Sequence, residues 1–280
     1  MKKRKFGVSP ALLLSLYGDR FTPGEVLNTL PLIRHMGFDC FQSEIVFDTM
    51  LPLWEKEAAA VAAAAREQEI EMSQLVAHFM MDAFCDQHAL FSEKGLAEME
   101  QVLKIADTME FHGPITVPIG PFAGLDNLQS EGRTLCRRRL SEKMLALAQL
   151  ARPLGNPVAI EVQPGALISG AKEISDFLKG TSLGYNYDTG HAWASGAKDT
   201  VQFPLLFGRR LLGTHLCDND AVHNLSLCPG EGTIDWRSTI QNLMNSGYQG
   251  SLDLEIFTEP SRVQEKYTAG KRYLEHLLED

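Results

Sequence analysis

The chain has 280 residues, of which 44% are hydrophobic and 22% are charged, and its formal net charge is -10. That composition is close to the average of globular proteins, so it excludes disordered and fibrous architectures and leaves enough apolar residues for a large core. The excess of 36 acidic over 26 basic residues repels phosphate backbones and anionic lipids. Neither a nucleic acid nor a membrane is therefore expected as a partner.

The cysteines and the amino terminus both favour a cytoplasmic protein. Five widely spaced cysteines without a Cys-x-x-Cys pair predict neither a disulfide framework nor a thiolate zinc site. The basic start of the chain is followed by an apolar stretch that Gly7, Ser9 and Pro10 interrupt, unlike the continuous core of a signal peptide. No apolar run approaches the roughly 18 residues of a transmembrane helix, so no membrane span is expected.

Short apolar runs alternate with longer amphipathic runs along the whole chain. The short runs predict eight strands, at residues 5–9, 40–45, 71–78, 115–119, 158–162, 183–188, 212–216 and 252–257. The longer runs predict helices at residues 23–36, 51–68, 90–111, 133–154, 171–178, 201–207, 236–246 and 259–278. Eight such repeats without a Pro/Gly/Ser-rich linker predict an α/β fold, a single-domain (β/α)8 TIM barrel that spans residues 1–280.

Ionisable side chains stand at the ends of four consecutive predicted strands. Glu161, Asp188, His215 and Glu255 belong to the ends of the fifth, sixth, seventh and eighth strands. The carboxyl ends of barrel strands form one face, where TIM-barrel enzymes hold their active sites, and three carboxylates that meet there repel one another unless a cation lies between them. The four side chains therefore predict one divalent metal. Three carboxylates and one imidazole favour Mn²⁺, Mg²⁺ or Co²⁺, and Zn²⁺ is also compatible.

Three stretches around these residues resemble the motifs of a known family. They read YDTGHA at 187–192, HLCDN at 215–219 and PGEGTIDW at 229–236. In order and spacing they are similar to the motifs of the sugar-phosphate isomerase/epimerase family, the xylose-isomerase-like TIM barrels. The resemblance spans most of the chain and is densest from Glu161 to Glu255.

The resemblance implies a set of roles for these residues. Glu161, Asp188, His215 and Glu255 would bind one divalent metal, as in ketose 3-epimerases, with Glu161 and Glu255 as the acid-base pair and His191 on a substrate oxygen. The implied activity is that of a metal-dependent enzyme that acts on a carbohydrate or polyol through an enediolate. Proton return to the opposite face of the carbon gives epimerisation, and return to the adjacent carbon gives isomerisation. The sequence does not choose between the two.

The chain departs from the ketose 3-epimerase pattern at one position. Where those epimerases have an arginine six residues after the metal-binding histidine, this chain has Ala221, and His223 is a candidate replacement. The departure keeps open a dehydratase or a keto-glycoside lyase on the same metal site, and fold alone also allows a non-catalytic sugar-binding barrel. Ala221 also stands where the related apurinic endonucleases have an aspartate, so their trinuclear zinc site cannot be completed.

Two further residues near predicted strand ends are candidate substrate ligands. His78 ends the third predicted strand and either contacts substrate or is a buried histidine bonded to backbone. Glu44 stands where the family has a strand-end acid and either binds substrate or forms a structural salt bridge. The sequence identifies neither the sugar nor its phosphorylation, and it is compatible with a homo-oligomer.

Overall fold

Eight short apolar runs form the parallel strands of a barrel in the computed structural model, which describes residues 4–195 and 200–279. The strands are β1 (Phe6–Val8), β2 (Cys40–Ile45), β3 (Glu71–Ala77), β4 (Ile115–Ile119), β5 (Val158–Val162), β6 (Gly184–Asp188), β7 (Leu211–His215) and β8 (Leu252–Leu254). They pair in chain order, and β1 also pairs with β8. The predicted TIM barrel is confirmed. The first three residues of the basic amino terminus lie outside the described residues.

The barrel closes between β7 and β8 through an isolated bridge just beyond β7. Leu216 pairs there with Leu254. The amide of Leu216 donates to the carbonyl of Asp253 at 2.8 Å, and the amide of Glu255 donates to the carbonyl of Leu216 at 3.0 Å. This β7–β8 seam follows His215 directly and includes Glu255, so the backbone bonds that close the barrel also hold two predicted metal ligands side by side.

Eleven α-helices surround the barrel within the described residues. They are α1 (Ala11–Tyr17), α2 (Pro23–His35), α3 (Leu51–Glu67), α4 (Gln87–Phe91), α5 (Leu96–Thr108), α6 (Ser130–Ala151), α7 (Gly170–Leu178), α8 (Thr189–Ala194), α9 (Phe203–Phe207), α10 (Trp236–Asn245) and α11 (Val263–Glu279). In residues 4–195 and 200–279, no helix combines the length and the apolar character that a membrane crossing requires.

Three helical features differ from the predicted elements. The helix predicted at 90–111 is interrupted, because Gly95 adopts a left-handed φ of 99° and starts α5 separately from α4. The helices α1 and α8 were not predicted, since seven and six residues are too few for an apolar period to be visible. The other predicted helices lie within four residues of their expected limits.

Polar side chains occupy much of the barrel interior, where TIM barrels usually stack branched apolar residues. The buried polar residues of the strands include Gln42, Gln74, Thr116, Asn186 and Asp253. Glycines make room for them, because a Cβ on Gly213 would lie 2.2 Å from Nε2 of Gln74, and a Cβ on Gly7 would lie 1.9 Å from Oδ1 of Asp253. Amides and a carboxylate are thereby packed directly beneath the carboxyl-end face.

Candidate active site

Five buried ionisable side chains meet at the carboxyl ends of β5 to β8. They are Glu161, Asp188, His191, His215 and Glu255. Two overlapping sets, Glu161 with Asp188 and His215, and Asp188 with His191 and Glu255, each bring three potential ligand atoms within 4.8 Å of one another. The structure thus brings the four predicted metal ligands together and adds His191 to the same cluster.

His215 lies at the centre of this cluster. Its Nδ1 is 2.8 Å from Oε2 of Glu255, 2.9 Å from Oε2 of Glu161 and 3.8 Å from Oδ2 of Asp188. In spite of this proximity, Nδ1 is buried and has no partner in hydrogen-bonding geometry. Buried polar atoms normally find partners, so atoms that converge without bonding to one another are arranged as ligands of a shared cation would be.

Asp188 has a second structural role, because it ends β6 and caps α8. Its Oδ1 accepts a hydrogen bond from the amide of His191 at 2.7 Å, as an N-cap carboxylate does. The other oxygen, Oδ2, is buried without a hydrogen-bonding partner and lies 3.1 Å from Nδ1 of His191. The cap therefore directs a single carboxylate oxygen into the cluster.

Burial and the charges of the cluster shift the pKa values of Asp188, His191 and Glu161. Burial raises the pKa of Asp188 to about 7. Burial also lowers the pKa of His191, but the Asp188 and Glu161 carboxylates outweigh burial and raise that pKa to about 9. Burial alone would raise the pKa of Glu161, yet the His215 and His191 rings hold it well below its usual range. A divalent cation would supply the positive charge that protonated imidazoles supply here, so the donor set fits a metal.

A chain of hydrogen bonds inside the barrel holds Glu161. Oγ1 of Thr116 donates to Oε1 of Gln74, and Nε2 of Gln74 donates to Oδ1 of Asn186 at 2.9 Å. Nδ2 of Asn186 then donates to Oε2 of Glu161 at 2.8 Å. The sequence pattern did not identify these supporting residues, although polar residues within otherwise apolar strands were an available signal.

A cavity of about 170 Å³ opens beside the cluster and has both apolar and polar walls. Its apolar walls include Leu14 and Phe257, and its polar walls include Glu44 and His78. Nδ1 of His78 lies 2.8 Å from Oε1 of Glu44, so the two candidate substrate ligands form a pair. Burial lowers the pKa of His78, but the hydrogen bond to Glu44 and the nearby carboxylates outweigh burial and raise it.

His223, the remaining candidate substrate ligand, lies apart from this cavity. Its side chain is exposed, and its Nδ1 is 2.8 Å from Oδ2 of Asp220 on the loop after β7. The next residue, Asn224, lines the cavity, as does Gln163. Neither was identified from the sequence. Gln163 follows Glu161 by two residues and so projects from the same side of the chain, a spacing that could have identified it.

The family can be assigned from a sequence match that extends across the barrel. A family model described as the xylose isomerase-like TIM barrel matches residues 30–277. The chain belongs to this family. The match includes every residue of the cluster, and it confirms the resemblance that the motifs around Asp188 and His215 suggested.

Curated relatives match shorter parts of the chain. An uncharacterised protein of Mycobacterium tuberculosis is 32% identical over 100 residues, which are 35% of this chain and 35% of the relative. The rhizopine catabolism protein MocC of Rhizobium meliloti is 25% identical over 140 residues, 43% of each chain. The alignments therefore span less than half the length of these curated relatives.

Solved structures share the fold over nearly the whole chain. The 3-keto-D-glucoside 4-epimerase YcjR of E. coli is 19% identical, with a TM-score of 0.75 over 98% of this chain and 100% of its own. The D-psicose 3-epimerase of Clostridium cellulolyticum, solved with D-tagatose, is 17% identical, with a TM-score of 0.75 over 98% and 99%. The IolI protein, solved with a zinc atom, is 16% identical, with a TM-score of 0.73 over 98% and 96%. At these identities the likeness shows a shared barrel.

Proposed function

We propose that this protein is a divalent-metal-dependent enzyme that epimerises or isomerises a small sugar. The observation that carries the proposal is the buried cluster, in which Oδ2 of Asp188 and Nδ1 of His215 converge without hydrogen-bonding partners. Three buried carboxylates around one imidazole are costly in a barrel that only binds sugar. Two of the similar solved structures are sugar epimerases and a third holds zinc, which supports the same conclusion.

The metal would be held by Glu161, Asp188, His215 and Glu255. When bound, a divalent metal supplies a Lewis acid that polarises a sugar carbonyl and stabilises negative charge on neighbouring oxygens. The oxygen-rich ligand set suits Mn²⁺, Mg²⁺ or Co²⁺, and zinc remains compatible with it.

Glu161 and Glu255 would move the proton in this proposal. One carboxylate removes the proton from the carbon beside the carbonyl and leaves an enediolate, and the other returns a proton to the opposite face or to the adjacent carbon. Asn186 donates to Oε2 of Glu161, and this bond fixes the orientation of the carboxylate. His191, whose Nδ1 is 3.3 Å from Oε1 of Glu161, would bind a substrate oxygen beside the reacting carbon.

The cavity favours a small sugar without a phosphate group. Its volume of about 170 Å³ is modest for a ligand site and suits a monosaccharide. Among the described residues that line it there is no lysine or arginine to pair with a phosphate, and the Glu44 carboxylate would repel one. Asn224 and Gln163 offer hydrogen bonds to hydroxyl groups, and the Phe257 ring offers an apolar surface to the sugar carbons.

The His78–Glu44 pair favours a second candidate, a dehydratase or keto-glycoside lyase. Such an enzyme removes the same proton, after which the bond between the β-carbon and its oxygen breaks and the departing oxygen keeps the electron pair. That oxygen needs a proton, and an imidazole that Glu44 holds in the cavity wall is suited to donate it.

A substrate screen in deuterium oxide separates the two candidates. Ketoses, aldoses and 3-keto-glycosides are incubated with the protein and Mn²⁺, Mg²⁺, Co²⁺ or Zn²⁺, and the products are identified by NMR. An epimer or isomer with deuterium beside the carbonyl supports the first candidate, whereas loss of water or of an aglycone supports the second. Glu161→Gln protein is the control and should give neither product. Failure of every sugar with every metal would contradict both candidates.

A further inference from the structure

We infer that Gln42 and Asp253 are positioning residues, which orient the His215 ring so that Nδ1 rather than Nε2 faces the metal ligands. The inference rests on the proposed function, because that function makes His215 a ligand. The two positioning residues lie in the barrel interior, on β2 and β8, and neither belongs to the cluster described above.

A second chain of hydrogen bonds links His215 to these residues. Nε2 of His215 lies 2.8 Å from Oε1 of Gln42, and Nε2 of Gln42 donates to Oδ2 of Asp253 at 2.8 Å. Oγ of Ser73 donates to the same oxygen of Asp253 at 2.9 Å. Gln42, Asp253 and His215 are all buried, so water does not compete for these bonds.

The carboxylate of Asp253 determines which groups donate and which accept in this second chain of hydrogen bonds. Oδ2 of Asp253 accepts from Oγ of Ser73 and also faces Gln42, so the geometry requires Gln42 to turn its NH₂ group toward this oxygen. The carbonyl of Thr214, 3.5 Å from the same nitrogen of Gln42, favours the same orientation. Oε1 of Gln42 is then left to face His215, and Nε2 of His215 must be the donor.

The orientation of the amide decides which ring nitrogen remains available. When Nε2 of His215 carries the hydrogen, a neutral ring offers its lone pair at Nδ1. Nδ1 is the nitrogen that lies within 3 Å of carboxylate oxygens of both Glu161 and Glu255. Partners behind a metal-binding histidine commonly fix its tautomer and its orientation in this way.

A packing role and a positioning role make different predictions. If Gln42 and Asp253 only fill space, then substitutions that keep their shape should be tolerated. If they position His215, then polarity matters more than shape. Asp253→Asn keeps the shape but can donate as well as accept, so the amide of Gln42 is free to turn round. Gln42→Leu removes the acceptor altogether.

Metal affinity and the ring N–H of His215 are the two measurements. Calorimetric titration with Mn²⁺ and Zn²⁺ gives the affinity, and NMR of metal-free and zinc-loaded protein detects the Nε2–H signal, which a His215→Gln variant assigns. In the wild type this proton should exchange slowly. Gln42→Leu should abolish the protected signal and weaken metal binding about 10-fold to 100-fold, the range typical of lost ligand support. Asp253→Asn should weaken binding about tenfold.

A double variant supplies a rescue that a packing role would not produce. Gln42→Glu alone places two carboxylates in contact and should weaken metal binding. Adding Asp253→Asn gives the new carboxylate an NH₂ donor, while that carboxylate still accepts from Nε2 of His215. Metal affinity should then recover above that of Gln42→Glu, and a double variant no better than that single variant would overturn the inference.

Thr116→Val is the matched control. Valine has nearly the same size as threonine, and the substitution removes a buried hydroxyl from the other chain of hydrogen bonds, the one that ends at Glu161. It should leave the Nε2–H signal of His215 unchanged. Loss of the signal in this control, or its survival in Gln42→Leu, would overturn the inference. If Gln42→Leu does not fold, Asp253→Asn and the double variant carry the test. If the wild type binds no divalent metal, the proposed function is contradicted. The Nε2–H signal of metal-free protein still tests the hydrogen bonds from His215 through Gln42 to Asp253.

Discussion

His191 and His215 share one cluster, but their surroundings differ. His215 is held on one side by Gln42 and on the other by carboxylates, which is the setting of a metal ligand. His191 belongs to the first turn of α8 and lines the cavity, where a substrate would lie. The two histidines are therefore expected to have separate roles.

Alanine substitutions of the two histidines should have different consequences. His215→Ala should purify with little metal, since the cluster loses its central donor. His191→Ala should keep close to one equivalent of metal and lose turnover, because a substrate contact is missing. Elemental analysis of both proteins, purified with metal present, makes the comparison. Equal loss of metal in both would mean that His191 is also a ligand.

Gly213 is a position where one methyl group should disturb the site indirectly. A Cβ there would lie 2.2 Å from Nε2 of Gln74 and 2.5 Å from Oδ1 of Asn186, which holds Glu161. Gly213→Ala should lower the free energy of unfolding by about 1–3 kcal/mol, as overpacking does, and should weaken metal binding. Denaturant unfolding and calorimetry measure the two effects. Gly132→Ala on α6 is the control, since its nearest contact is an ordinary 3.6 Å, and it should cause neither loss.

The strands could be predicted because each is a short, largely apolar run, and the cluster could be predicted because β5 to β8 each have an ionisable residue at or beside the carboxyl end. The division between α4 and α5 was missed because the apolar period continues across it, although Gly95 marked the break. The helix α8 begins at the strand end, with Asp188 as its cap, and leaves no room for a periodic pattern. Element limits set by one cap or one glycine are visible only after the surrounding contacts are known.

A buried lysine joins α6 to the segment that carries His78. Nζ of Lys143 donates to the carbonyls of Ala83 and Ala89 at 3.1 and 3.0 Å, and its side chain is buried. Those carbonyls belong to the 3₁₀ turn after β3, which begins at His78, and to α4. Burial lowers the pKa of Lys143 to about 8. Lys143 thus connects α6 to the turn that begins at His78, a residue of the cavity wall.

The lowered pKa of Lys143 predicts a specific pH dependence of stability. Between about pH 8 and the ordinary lysine pKa of 10.5, the folded chain has released this proton while the unfolded chain keeps it. The unfolded state binds more protons in that window, so the free energy of unfolding should gain a rising contribution as the pH increases. Lys143→Met lacks this contribution. Urea unfolding of both proteins from pH 7 to 10.5 gives the difference, and a flat difference would refute the prediction.

The whole barrel brings together residues that are far apart in sequence, and this explains which parts of the site the sequence could not reveal. Gln74 and Asn186 are 112 positions apart, and Gln42 and His215 are 173 apart, yet each pair is hydrogen-bonded. A strand end can be identified locally, but a contact across the barrel cannot. The loop after β7 is similar, because it has no period from which the exposure of His223 could be predicted.

Metal binding should stabilise the entire barrel, because its proposed ligands come from four adjacent strands that include both sides of the β7–β8 seam. At a free metal concentration 100 times the dissociation constant, the free energy of unfolding should rise by about 2.7 kcal/mol. Thermal unfolding with Mn²⁺ and with a chelator measures the difference. Amide exchange at Leu216 and Glu255 should slow in parallel. The Glu161→Ala protein should show much less stabilisation, and an equal response would contradict the ligand assignment.

The chain from Thr116 through Gln74 and Asn186 to Glu161 also constrains how this barrel can diverge. Every donor in it points toward the carboxylate, so the loss of one member leaves a buried donor or acceptor of its neighbour without a partner. Replacement of several of these residues together should therefore be tolerated better than replacement of one alone. Across related proteins, these interior positions should therefore covary, and they should preserve ancestry longer than the cavity wall, where substrates change one side chain at a time.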